Sequence, residues 1–208
     1  MSRTEFDMSD PGVNGYAMLN SLVVPRPIAW VSTLDAEGGG NLAPHSFFSV
    51  ASADPPTVMF TSVGLKDTVR NIEATGEFVV CVASAPLLHA VNDSSAPFEP
   101  GVDEASNLGI TMEPSVTVAP PRVADSPASL ECRLDRMVAV GKKNVVVMGR
   151  VTLVTVRDDV LEGDHPAMEQ LQPLSRLGRN EWGLPPEVFT LDRPRTVDDV
   201  RLSPRNRS

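Results

Sequence analysis

Short apolar runs punctuated by glycine and proline dominate the chain, and their spacing predicts strands more often than helices. Ile28 to Leu34 reads as a strand, followed by Asp35 to Gly40, a polar, glycine-rich turn that is most simply a hairpin loop. The partner strand begins at Asn41 and is predicted to break at Pro44. Thr57 to Ser62 is rich in β-formers, and Phe78 to Ala83 is the continuous apolar run expected of a strand buried on both faces. Ser129 to Val140 and Asn144 to Val156 read as two long strands joined by Gly141, Lys142 and Lys143. Helical spacing is confined to short pieces. Gly15 to Leu22 carries Tyr16, Leu19 and Leu22 on one side. A second helix follows Asp67, with that residue as its N-cap and Gly76 as its C-cap. Pro86 to Val91, Asp103 to Leu108 and Ala167 to Leu171 complete the set, while Thr111 to Ser126, with three prolines, reads as an extended excursion. The pattern predicts a mainly β antiparallel barrel or sandwich with a few short helices.

Composition narrows the setting. A length of 208 residues suits one domain with a sizeable core. The net charge of -9 argues against non-specific nucleic-acid binding, which depends on neutralising phosphates with Lys and Arg. The first ten residues hold no apolar signal segment. The longest apolar stretch, Phe78 to Val91, is interrupted and falls short of the ~20 residues a membrane span needs. Cys81 and Cys132 are far apart, so neither a disulfide framework nor a zinc ribbon is expected. The expectation is a soluble, cytoplasmic protein. Five arginines after Asp192 (Arg193, Arg195, Arg201, Arg205 and Arg207) are interleaved with acids, which reads as a solvated tail, mobile over 195–208.

Several chemistries find no support. His45, His89 and His165 are scattered without ligand spacing, and no G-x-S-x-G, G-x-G-x-x-G or Walker pattern is present. Cys81 lies inside an apolar strand, where a thiol is usually an inert small hydrophobe. What remains is a cofactor site between Asn41 and Thr68. A phosphate is well held by free amides at a helix N-terminus. The helix at Asp67 offers these, with Lys66 as a point charge and Ser62 and Thr68 as hydroxyl donors. The plainer reading, a surface lysine before an ordinary capped helix, stands beside it. His45 and Ser46, then Ser49, Val50 and Ala51, flank a strand disturbed by Pro44, where unpaired backbone groups suit the edge of a flat ring.

Four motifs in this order carry a resemblance: Val24-Pro-Arg-Pro-Ile-Ala-Trp-Val-Ser-Thr33, Asn41-Leu-Ala-Pro-His-Ser-Phe-Phe48, Asp54-Pro-Pro56 and Lys66-Asp-Thr-Val-Arg-Asn-Ile72. Leu130-Glu-Cys132, Val147-Met-Gly149, and Arg176-Leu-Gly178 followed by Trp182, add weaker matches. Over most of Tyr16 to Pro194 the chain resembles the flavin reductase-like family with the FMN-binding split-barrel fold. The resemblance implies a Greek-key-like split β-barrel and a homodimer carrying FMN. Hydride would pass from NADH or NADPH to the flavin, with a partner monooxygenase or other acceptor downstream. The alternative is an FMN-binding electron carrier without that reductase activity. A relative using deazaflavin, pyridoxal phosphate or haem is a third reading. Carried over by position, the flavin contacts are Ser32, Thr33, Pro44, His45, Ser46, Ser49, Val50 and Ala51 around ring and ribityl chain. Ser62, Lys66, Asp67 and Thr68 fall at the phosphate. Three departures stand out: Cys81 replaces a common asparagine, Ala105 an aromatic, and Trp182 a tyrosine.

Overall fold

The computed structural model describes residues 2–201, and the arginines at 205 and 207 of the expected mobile tail lie outside them. Seven strands form one antiparallel sheet: β1 (Ala29–Leu34), β2 (Gly40–His45), β3 (Phe48–Ala53), β4 (Pro56–Val63), β5 (Glu77–Val82), β6 (Ala128–Val140) and β7 (Asn144–Val156). Their order is β2-β1-β5-β6-β7-β4-β3, which places the consecutive strands β2 and β3 at opposite ends of the ladder. The helices are α1 (Gly15–Leu22), α2 (Asp67–Thr75), α3 (Leu88–Asp93) and α4 (Glu104–Leu108), with short turns elsewhere. The mainly β expectation is therefore met, and the β6–β7 hairpin spans the predicted boundaries almost to the residue.

The centre of the sheet is buried on both faces, as its uninterrupted apolar runs demand. In β1 and β5, alternate residues enter two cores. Trp30, Val79 and Cys81 pack with Val91 and Ala105 beneath α3 and α4. Val31, Phe78 and Val80 pack with Phe60, Val69 and Ile72 beneath α2. Phe60 and Phe78 meet edge-on, with ring centroids 5.7 Å apart. The indole of Trp30 reaches out of its core and donates to Ser94 Oγ at 2.9 Å, tying the segment after α3 to the sheet.

Two local expectations need correction. Pro44 does not break its strand: it pairs with Trp30 inside the β1–β2 ladder, and pairing continues to His45 opposite Ala29. As the end strand of the ladder, β2 can place the missing proline N–H on its unpaired side. Asp67 is not the cap of α2. Lys66 occupies the N-cap position, without a side-chain cap bond, and Asp67 is the first helical residue. Its carboxylate instead pairs with Arg70 and accepts from Gly101 N at 3.1 Å. Gly76 does end α2, at φ 73°, where the absence of Cβ removes the left-handed penalty. At the other end of the chain, Val197–Arg201 forms a short turn of helix with Asp199 accepting from the Arg195 and Thr196 amides.

Candidate functional site

The site is built around the β4–α2 junction. Ser62 Oγ donates to the Gly64 carbonyl at 2.8 Å, and Gly64 takes φ 100°, so the chain turns sharply out of the strand. The Val69 and Arg70 amides both donate to the Lys66 carbonyl, leaving the Asp67 and Thr68 amides at the helix opening. Lys66 itself is exposed and forms no ion pair among the described residues. Arg70 is committed, bonding Asp67 and donating to the Leu65 carbonyl at 2.7 Å.

Behind this opening lies a buried polar network. Thr68 is fully buried, and its Oγ1 accepts from Asn41 Nδ2 at 3.1 Å and meets His45 Nε2 at 3.4 Å. Asn71 and Asn41 both donate to Thr33 Oγ1. Burial and, secondarily, the Lys66 charge push the His45 pKa down to about 3, so the ring is neutral. It also hydrogen-bonds the Thr61 backbone and packs against Phe60 at a 4.7 Å centroid distance. A neutral ring whose proton goes to the Thr61 carbonyl presents Nε2 as an acceptor for the Thr68 hydroxyl. Thr68, His45 and Thr33 thus hold α2 against the sheet, and their side chains are occupied in doing so.

Two pockets adjoin above this network. One, of about 340 Å³, is bounded by Asn41, Pro44, Lys66, Thr68, the Ser94–Phe98 segment and Glu104. The other, of about 330 Å³, is bounded by Pro44, Ser46, Asn92, Ser95, Arg176 and Trp182. Pro44 and Ser95 border both, so the two form a continuous groove with a charged end and an aromatic end. At the aromatic end the Arg176 guanidinium lies 4.7 Å from the Trp182 ring centroid.

Of the predicted residues, the groove brings together Pro44, Ser46, Lys66, Asp67 and Thr68. Thr33 and His45 lie beneath it, and Ser62 shapes its entrance turn. Ser32 borders a different depression on the far side of β2. Ser49, Val50 and Ala51 are exposed on the edge strand β3 and line neither pocket of a single chain. Sequence reasoning missed Arg70, Ser95, Glu104 and the wall-forming role of Ser94 to Phe98. Arg70 lies one turn of α2 beyond Asp67, inside the Lys66 to Ile72 motif, whereas Ser95, Glu104 and the Ser94–Phe98 wall reach the groove only through long-range packing. Of the three departures, Cys81 is fully buried, accepts from the Val123 amide at 3.3 Å and has its pKa raised by burial to about 12, an inert thiol. Ala105 packs within the core under α4, and Trp182 walls the aromatic end.

The profile of the family described as "Flavin reductase like domain" matches residues 20–174. The chain belongs to the flavin reductase-like family. An uncharacterised protein of Halalkalibacterium halodurans is 40% identical over 190 residues, covering 86% of this chain and 90% of that relative. Nitrilotriacetate monooxygenase component B from Bacillus cereus superposes with a TM-score of 0.88 at 28% identity, covering 92% of this chain and all (100%) of that one. A split-barrel protein from Shewanella frigidimarina superposes with a TM-score of 0.83 at 18% identity, over 92% of this chain and 100% of its own, a likeness of fold. Members of the flavin reductase-like family are flavin-related oxidoreductases, and a flavin is the cofactor that membership implies. The groove suits one. A lone lysine beside open helix amides matches a phosphate, and an aromatic wall beside Pro44 matches a planar ring.

Proposed function

We propose that this protein is a cytoplasmic FMN-dependent oxidoreductase that works as a homodimer and draws electrons from NADH or NADPH. The observation that carries the reading is the continuous groove, with unpaired Lys66 and the opening of α2 at one end and Trp182 at the other. Lys66 and the Asp67 and Thr68 amides hold the phosphate. Pro44, Ser46 and Trp182 flank the ring. A flavin held there would supply the redox chemistry between a nicotinamide donor and an acceptor. The chain's own task is to bind, orient and shield. His45 and Thr68 fix the helix opening, and the Ser94–Phe98 wall excludes water from one side.

The resemblance to a monooxygenase component B supports a downstream monooxygenase as the consumer of reduced flavin. Purified protein should be yellow or take up added FMN, and its flavin absorbance should bleach on mixing with NADH or NADPH. Colourless protein that takes up no FMN overturns the reading. FMN uptake without bleaching by either nucleotide in stopped-flow mixing favours the electron carrier instead.

A further inference from the structure

Four charged side chains border the phosphate end of the groove: Lys66, Arg70, Asp67 and Glu104. Their formal charges cancel. Arg70 and Asp67 neutralise one another through their ion pair, which leaves Lys66 and Glu104 as the other two charges on the pocket lining. Glu104 is no surface acid. It is 7% exposed, sits in the first turn of α4, and Oε2 accepts from the Leu42 amide at 2.8 Å. That bond crosses from α4 to β2 and fixes the carboxylate at the wall of the pocket. A pocket built only to grip a dianion would not keep a buried carboxylate in its wall.

We propose that Glu104 limits the affinity of this pocket for a phosphate dianion and so sets how strongly it discriminates between a flavin mononucleotide and the flavin without its phosphate. The inference rests on the proposed FMN site and adds to it the terms on which the cofactor is bound. Coulomb repulsion between a carboxylate and a phosphate in one partly buried pocket acts against the Lys66 attraction, and removing one charge changes affinity by about tenfold or more. The charged groups acting on Glu104 are Asp103, the N-cap of its own helix, and Asp67 on α2; Lys66 and Arg70 line the same pocket, and the only titratable side chain of the described β2 segment is the buried, neutral His45. Burial first, and then the neighbouring Asp103 and Asp67, raise its pKa. Lowering the pH therefore neutralises Glu104 earlier than an ordinary glutamate and relieves the repulsion.

The test compares FMN and riboflavin binding to wild type and Glu104→Gln by flavin fluorescence quenching from pH 8 to pH 5.5. The glutamine keeps a carbonyl oxygen for the Leu42 amide. The substitution should tighten FMN binding about tenfold at pH 8 and leave riboflavin binding unchanged, and its advantage should narrow as pH falls toward protonation of the wild-type carboxylate. Comparing the two proteins at each pH removes the contribution of the phosphate's own titration, which both share. Should Glu104→Gln fold poorly, Glu104→Ala removes the same charge and admits water to the Leu42 amide. Unchanged or weaker FMN binding in the folded variant overturns the proposal while leaving the FMN site intact. Equal tightening of riboflavin also overturns it, since the effect is then steric. Failure of wild type to take up FMN overturns both readings together.

Discussion

Lys66 and Thr68 stand two residues apart at one helix opening, yet their surroundings assign them opposite tasks. Lys66 is exposed and has no ion-pair partner among the described residues, which leaves its ammonium to a ligand. Lys66→Ala should weaken FMN binding by about 1.5–3 kcal/mol, the worth of a charge-assisted hydrogen bond, as read by fluorescence titration. An unchanged dissociation constant returns Lys66 to the role of an ordinary surface lysine. Thr68 is fully buried with its hydroxyl already engaged. Thr68→Val should therefore leave the Asn41 amide and the His45 Nε2 acceptor each short of a partner and cost about 1–3 kcal/mol of stability in urea denaturation. His45 adds a pH signature. Its pKa is about 3 when folded and about 6.5 when unfolded. Between those values the unfolded chain binds more protons, so stability rises with pH; the contribution is fully present above pH 6.5 and is lost as pH falls toward 3. The slope from this one group approaches 1.4 kcal/mol per pH unit at most. Urea unfolding from pH 7 to 5 should show it, and His45→Gln should flatten it relative to wild type. An identical slope in the variant would exclude His45 as the source.

At the scale of elements, the strongest geometric constraint falls at Gly149 in β7, beside a bulge in its pairing with β6. A Cβ built there would come within 2.2 Å of Phe78 Cζ and 3.2 Å of Cys132 Cβ. Phe78 is fully buried and locked edge-on against Phe60, so it has nowhere to retreat. Gly149→Ala should cost about 1–3 kcal/mol through overpacking, measurable as a lower denaturation midpoint; an unchanged midpoint would mean the strands can separate locally. The long strands were legible in the sequence because both faces of β5 and the length of β6 and β7 leave an uninterrupted apolar signal. The C-cap at Gly76 was legible because a positive φ calls for a particular residue. Pro44 misled, since a proline is silent about whether its strand is central or at the edge, and only the sheet order decides that. Asp67 misled because a capping residue and a first-turn acid look alike until Gly101 and Arg70 are seen to hold the carboxylate. Half of the groove was illegible for a simpler reason. Glu104 lies 62 positions from the amide it serves. Trp182, a weak match of the resemblance and a departure from its tyrosine, reaches the ring end through the small sheet of Arg26–Pro27, Ser175–Arg176 and Trp182–Gly183.

The whole molecule leaves one large question on its surface. Along α1, Tyr16, Leu19 and Leu22 are 64%, 58% and 70% exposed, and they form the apolar side predicted for that helix. An amphipathic helix gains stability by burying its apolar stripe, and here the single chain leaves that stripe in water. Tyr16 also lies beside Phe47, at a 6.4 Å centroid distance, so the apolar surface continues toward the turn between β2 and β3. That turn adjoins the edge strand carrying Ser49, Val50 and Ala51, residues the family resemblance assigns to the flavin although neither pocket of the groove includes them. A second copy seated over this face would cover α1 and give those three residues a role that the isolated chain denies them. Burying three large side chains at about 25 cal/mol per Å² of apolar surface supplies a useful part of a dimer interface. Leu19→Glu combined with Leu22→Glu places two charges on the stripe without touching the core. Sedimentation should then shift from dimer to monomer with circular dichroism unchanged, and flavin binding should weaken in parallel. A wild-type protein that sediments as a monomer would exclude the dimer. A variant that remains dimeric with full flavin affinity would move the interface away from α1.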